Sequence, residues 1–171
     1  MSNARVKTLY TSLIQNTSSV NAISVNANGI VQQPQLPVYY GWRDTGTEAW
    51  ESFSTTATYI YNISQVNIGN CYNTSTGVFT CPIAGVYMVC PGAMPGNGTG
   101  AFSMYVHKNG VNVTARGIHL NYIGNANYWK VNSQVFAINC VANDQLSIVI
   151  STSSLNVYGR EHSHLSIWYY G

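Results

Sequence analysis

Between residues 59 and 87, Tyr, Ile, Val and Phe alternate with Asn, Ser and Thr, and glycines interrupt the pattern at intervals. A repeat of two is the period of a strand with one buried face, and Asn/Gly clusters are where such strands reverse. Val66-Asn67-Ile68-Gly69-Asn70-Cys71-Tyr72 leads through residues 73–77 to Val78-Phe79-Thr80-Cys81-Pro82, and Gly85-Val86-Tyr87-Met88-Val89 follows. The pattern is one hairpin after another, with no reacting group among them. About ten strand-like runs are expected from Val38 onward: 38–42, 57–61, 65–68, 78–81, 86–90, 101–108, 111–118, 128–138, 145–151 and 163–170. Turn signals lie between them at Pro91-Gly92, Pro95-Gly96-Asn97-Gly98, Lys108-Asn109-Gly110 and Ala142-Asn143-Asp144. Short strands at this spacing, with no helical stretch of ten residues, predict an all-β antiparallel sandwich or jelly roll.

Charge narrows the reading further. Charged residues make up 7% of the chain, against about 25% in an average globular protein. Hydrophobic content is 46%, enough to bury a core, so the polarity is carried by Asn, Ser, Thr and Gln rather than by ions. A surface this short of charge resists self-association poorly, and the expectation is that identical neighbours or a larger assembly cover much of it. The net charge is +2, and the seven basic residues are scattered, whereas phosphate binding needs a stripe of them; no nucleic-acid partner is expected. No run of about 18 apolar residues exists to span a membrane. The start, Met1-Ser2-Asn3-Ala4-Arg5-Val6-Lys7, lacks the apolar core of a secretion signal, so manufacture in a cytoplasm is expected.

Residues 1–33 differ from the rest. They hold no Gly before Gly29 and no Cys, and their apolar residues come in small groups. Asn21-Ala22-Ile23-Ser24-Val25-Asn26-Ala27-Asn28-Gly29-Ile30-Val31 has strand alternation and an Asn-Gly turn signal. Such a segment has too little apolar surface to fold alone and reads as an extended arm, ordered against a partner or against its own copies. Pro34 and Pro37 end it, leaving residues 34–171 as a head domain.

The head resembles the C1q-like (C1q/TNF superfamily) trimerising domain. The resemblance rests on Pro37-Val38-Tyr39-Tyr40, Asn67-Ile68-Gly69-Asn70-Cys71-Tyr72, Gly77-Val78-Phe79, Pro82-Ile83-Ala84-Gly85-Val86-Tyr87, Lys108-Asn109-Gly110, Asn143-Asp144-Gln145 and His162-Ser163-His164-Leu165, in that order. The departures are Asn143 where glycine is usual and Ile167-Trp168 where Gly-Phe is common. The resemblance implies a ten-stranded antiparallel jelly roll assembled as a tight homotrimer. Residues 6–31 also resemble the leader of many tailed-phage virion proteins, in which a short β-rich segment precedes a trimeric head. This implies a virion-surface location, with manufacture in the host cytoplasm, and attachment to the particle through Val6, Leu9, Leu13, Ile14, Ile23 and Val25. The absence of a Gly-X-Y collagen repeat points away from a secreted animal C1q-like factor.

Chemical sites are mostly excluded. Cys71, Cys81, Cys90 and Cys140 show neither C-x-x-C spacing nor clustered histidines; reduced, buried thiols acting as apolar fillers are the default reading. A Cys71–Cys81 disulfide would need Cα atoms within about 7 Å, which spacing leaves open. Asn-x-Ser/Thr sequons at Asn16, Asn62, Asn73, Asn97 and Asn112 follow from composition. His162 and His164 share one strand face, a spacing metal ligands use, but an ordinary hydrogen-bonded pair is the favoured reading. Asp44, Glu48 and Glu51 lack calcium-loop spacing and read as solvated loop charges. No catalytic residue, metal or cofactor is expected. Tyr39, Tyr61, Tyr72, Phe79, Tyr87, Leu165 and Trp168 are expected in the core or the trimer interface. Trp42, Trp50, Tyr122 and Trp129, read as lying in loops or at strand ends, are the candidates for stacking on a host surface glycan. The function expected is a capsid decoration trimer that clamps capsid subunits, its partners being its own copies and the major capsid protein or another virion protein. The alternative is a tail-fibre or receptor-binding tip that recognises polysaccharide.

Overall fold

The computed structural model describes residues 13–15, 21–25, 31–32, 36–46, 50–53, 56–95, 101–114, 118–121, 131–152 and 155–171. Every regular element among them is a β-strand. The chain divides into two units, Met1–Leu36 and Pro37–Gly171. In the first, β1 (Leu13–Gln15), β2 (Asn21–Val25) and β3 (Val31–Gln32) form a three-stranded antiparallel sheet. Ile14 pairs with Ile23 and Val25 with Val31. Val6 and Leu9 lie outside the described residues.

The second unit begins with β4 (Val38–Arg43), β5 (Trp50–Phe53), β6 (Ala57–Thr58), β7 (Ile63–Ile68), β8 (Tyr72–Asn73), β9 (Val78–Thr80) and β10 (Gly85–Pro95). It continues with β11 (Ala101–Lys108), β12 (Val111–Asn112), β13 (Ile118–Asn121), β14 (Asn132–Ser133), β15 (Phe136–Cys140), β16 (Gln145–Thr152), β17 (Leu155–Tyr158) and β18 (Arg160–Tyr169). One sheet has the order β5-β17-β10-β18-β4-β7, with β14 and β15 also paired to β10. The other has the order β12-β11-β16-β9-β8, with β13 on β11 and β6 on β16. The two antiparallel sheets make the expected all-β sandwich, with a jelly-roll arrangement. The last strand, β18, sits between β10 and β4, so the C-terminus closes the middle of the first sheet.

The core lies between the sheets. Tyr39, Tyr87, Val89, Leu165 and Ile167 of the first sheet meet Phe79, Met104, Val106, Leu146, Ile148 and Ile150 of the second. Aromatic rings set its geometry. Tyr39 stacks on Tyr72 at 3.9 Å between centroids, Tyr59 meets Tyr61 edge-on at 5.1 Å, and Phe79 meets Tyr87 edge-on at 5.7 Å. A buried tyrosine needs a partner for its hydroxyl. Tyr39 donates to the Tyr61 carbonyl at 3.0 Å, and the Tyr72 hydroxyl accepts from the Tyr61 amide at 3.0 Å. These two bonds satisfy the irregular backbone between β6 and β7. Gly41 is needed here because a Cβ would stand 2.2 Å from both the Tyr39 hydroxyl and the Ile63 carbonyl oxygen.

Two turns that are distant in sequence form one clamp. Asn109 (φ 52°) and Gly110 (φ 80°) make the two-residue loop of the β11–β12 hairpin, both with the positive φ such loops demand. The Asn109 side chain accepts from the Gln145 amide at 2.8 Å and donates to Asp144 Oδ1 at 2.7 Å. Asp144 also accepts from the Val141 amide at 2.9 Å, and Lys108 Nζ stands 3.5 Å away. Asn143 has φ 72°. That explains its departure from glycine, because Asn is among the few other residues that visit the left-handed region readily.

Several expected boundaries are corrected. Pro91-Gly92 is no turn but lies inside β10, which runs on to Pro95. The proline falls at the break between β15, which pairs with residues 85–89, and β14, which begins opposite Gly92; no ladder partner stands beside it on that edge. The run expected at 57–61 is a strand only over β6, because Tyr59 and Tyr61 turn into the core. The runs expected at 111–118 and 128–138 are each divided, into β12 and β13 and into β14 and β15. β5, β8 and β17 were not expected. Glu51 is no solvated loop charge. It lies in β5 and makes a bidentate ion pair with Arg43, whose guanidinium also donates to the Ile60 carbonyl at 2.8 Å and lies 5.2 Å from the Tyr59 ring.

The tyrosine network gives a contrast to measure. The Tyr61 hydroxyl is fully buried with no hydrogen-bond partner among the described residues, a state that costs about 1–3 kcal/mol. Tyr61→Phe is expected to leave the thermal midpoint unchanged or raise it, while Tyr39→Phe lowers stability by about 1 kcal/mol; differential scanning calorimetry on the two variants checks the pair.

The clamp gives an acid dependence. Hydrogen bonds from Asn109 and the Val141 amide, followed by the Lys108 charge, hold the Asp144 carboxyl below its ordinary range. A carboxyl more acidic when folded supplies stability above its unfolded pKa of about 4 and loses it as pH falls through the folded value. Asp144→Asn is therefore expected to lower the melting midpoint at neutral pH, with the gap closing once the wild-type carboxyl is protonated. Melting curves across an acid series read this directly.

Candidate assembly interface

The first sheet is apolar on both faces. Along β4, Tyr39 and Gly41 are buried while Val38, Tyr40 and Trp42 keep part of their surface open. Along β18, Ser163, Leu165 and Ile167 are buried, and His164, Ser166 and Trp168 are partly open. Along β10, Tyr87 and Val89 are buried, and Val86, Met88 and Cys90 are partly open. Residues paired directly across an antiparallel ladder share a face, so the register assembles the open residues into rows. Ile68, Val38, Trp168, Met88 and Ala137 form one row, and Val66, Tyr40, Ser166 and Cys90 the next. Ile63, Trp42 and His164 begin a third. No lysine, arginine or carboxylate stands in these rows.

Close contacts fix side chains on this face. Tyr40 and Trp42 are in ring contact at 6.4 Å between centroids. The His164 imidazole covers Gly92, where a Cβ would lie 2.6 Å from its Cε1. Ser163, between the two histidines, points inward and donates to the Tyr158 carbonyl at 2.6 Å, while His162 packs on the Tyr158 ring at 5.3 Å. Among the described residues no group of three His, Cys, Asp or Glu side chains is placed to hold a metal ion.

The residues expected in the core or the interface separate cleanly. Tyr39, Tyr61, Tyr72, Phe79, Tyr87 and Leu165 are buried inside one chain, and Trp168 alone stands on the open face. Val38, Tyr40, Val86, Met88 and Cys90 complete that face and were missed, because alternation marks two faces without saying which is the core. All four cysteines are free thiols. Cys71, Cys81 and Cys140 are buried, and burial pushes their thiols up in pKa. Cys90 departs from the expected buried filler by lying on the open face. Of the glycan candidates, Trp42 lies near the end of β4 on the partly open sheet face and Trp50 opens β5, and Tyr122 and Trp129 fall outside the described residues.

A two-sheet antiparallel sandwich with an uncharged, partly open sheet face is the build of an assembling module, and the relatives agree with it. The C1q domain profile matches residues 45–145, and the chain belongs to the C1q domain family. No curated protein matches it in sequence. Among solved structures it is similar to Eiger TNF from S. frugiperda, at 13% identity and TM-score 0.56, covering 80% of this chain and 94% of that one. It is similar to the globular domain of zebrafish complement 1qA protein, at 14% identity and TM-score 0.52, covering 79% and 98%. It is also similar to murine APRIL, at 10% identity and TM-score 0.57, covering 79% and 99%. C1q/TNF domains typically form homotrimers and are generally binding or structural modules rather than enzymes.

Proposed function

We propose that this protein is a homotrimeric, non-catalytic structural component of a tailed-phage virion, most simply a capsid decoration protein. The open face of the first sheet carries the reading. Each Val, Ile or Met in it that passes from half-open to covered contributes on the order of 1 kcal/mol, and with so few charges nearby little electrostatic repulsion opposes the approach of a second and third copy. The habit of the C1q/TNF domains supports three copies as the closed state. The virion setting is supported by the resemblance of residues 6–31 to phage leaders and by the division of the chain into a small N-terminal sheet and a separate head. Three weak attachment segments tied to one rigid head gain avidity of orders of magnitude, which suits clamping of repeated capsid subunits. A receptor-binding tip is the second reading, favoured by a polar cleft on the head described below.

The head and the arm are tested apart. Met88→Arg and Trp168→Asp each place a charge in the sheet face, and sedimentation velocity is expected to show monomers where the unaltered chain sediments as a trimer. An unaltered chain that stays monomeric at micromolar concentration would refute the assembly. Deletion of residues 1–33 is expected to leave a trimer that no longer binds particles in a pelleting assay. On a quantified gel of purified particles, a decoration protein is present in hundreds of copies and a fibre tip in a few dozen at most.

A further inference from the structure

A cleft of about 720 Å³ opens between β7 and the β8–β9 hairpin. Amides and hydroxyls, Ser64, Asn70, Thr76 and Gln145 among them, make most of its wall, with Cys71, Tyr72 and Val78 between them, and no charged side chain lines it. We propose that this cleft binds a neutral oligosaccharide.

The chemistry of the wall selects the ligand class. A phosphate or carboxylate would meet no basic side chain here, and an amine no carboxylate. An apolar ligand would strip water from the amides and give nothing in exchange. Sugar hydroxyls both donate and accept, and so do the wall groups: a carboxamide offers a donor beside an acceptor, and a hydroxyl offers both. The volume lies within the range of about 300–1,000 Å³ usual for ligand sites, and it exceeds a single sugar ring.

The wall is also fixed before any ligand arrives. Tyr72, on the floor, is locked by its stack on Tyr39 and by the Asn67 side chain, which donates to its carbonyl at 2.9 Å and accepts from its amide at 3.1 Å. The turn above is held by Asn73 Oδ1, which accepts from the Ser75 amide at 2.9 Å and the Thr76 amide at 3.2 Å. Gly77 N closes the loop onto the Asn73 carbonyl at 2.8 Å. Thr76 gives these bonds only its backbone amide, the Gln145 amide is held by Asn109, and both residues are exposed and line the cleft. A prearranged wall spares the ordering entropy that weakens binding by flexible loops.

The experiment uses the full chain on a printed array of neutral oligosaccharides built from glucose, galactose, mannose and N-acetylglucosamine, with sialylated and sulfated glycans beside them. The strongest neutral binder is then titrated by saturation-transfer NMR. The double variant Thr76→Ala/Gln145→Ala is expected to weaken that binding at least tenfold, and Thr76→Trp, which fills the mouth, to abolish it. Sedimentation and melting of both variants are expected to stay unchanged. Retention of no neutral glycan, or of acidic glycans alone, overturns the proposal. Binding that survives both variants but is lost in Trp129→Ala overturns it too and assigns the sugar to that aromatic side chain. Sugar binding here depends on neither trimer formation nor virion attachment, so its failure is distinct from theirs.

Discussion

A β-strand has two faces, and both faces of the central sheet are greasy. That constraint governs the molecule. Before Arg43 ends it, strand β4 reads Val38-Tyr39-Tyr40-Gly41-Trp42, without a charged side chain among the five, and folding covers only the set that includes Tyr39. The second sheet takes one face of the first as its core partner, and the other face is left with Val38, Tyr40, Trp42, Met88 and Trp168 partly in water. A protein whose surface carries so few charges has little with which to keep such a face apart from a copy of itself. The surface on which the proposed assembly rests is thus built into the strand pattern rather than added by loops.

Much of the fold was legible in the sequence, and the reason is local. β9, β11 and β16 alternate over most of their length because one face of each lies in the core, and the hairpin turns announce themselves through Asn and Gly at positions of positive φ, as at Asn109-Gly110. What was not legible depends on partners far along the chain. β5 and β17 are short and find each other across a hundred residues, Ser52 bonding Asn156 at 2.6 Å, so neither carries a periodic signal of its own. Glu51 looked like a loose acid because its partner Arg43 lies at the end of another strand. Pro91-Gly92 looked like a turn because its tolerance comes from a gap between β15 and β14 that no local pattern shows.

The candidate sites were legible in part for the same reason. Trp168 was marked for its bulk, but the choice between core and exterior is made by the pairing register, which the sequence does not display. The polar cleft was invisible as a site. Its wall draws on β7, on the hairpin at 72–80 and on Gln145, and each contributes only common polar residues. Two of the motifs that carry the resemblance, by contrast, meet in three dimensions: Lys108-Asn109-Gly110 and Asn143-Asp144-Gln145 are the two halves of one hydrogen-bonded clamp.

That clamp also sets a clock. An Asn-Gly pair is the sequence in which the following backbone nitrogen most readily attacks the side-chain carbonyl, expelling ammonia to leave a cyclic imide that water then opens to an acid. At Asn109 the group lost is the one that donates to Asp144, and the product would press one carboxylate against another. Chemical ageing at this pair would therefore release the strand end that the loop fastens, and the two hydrogen bonds that hold the Asn109 side chain are also what slows it.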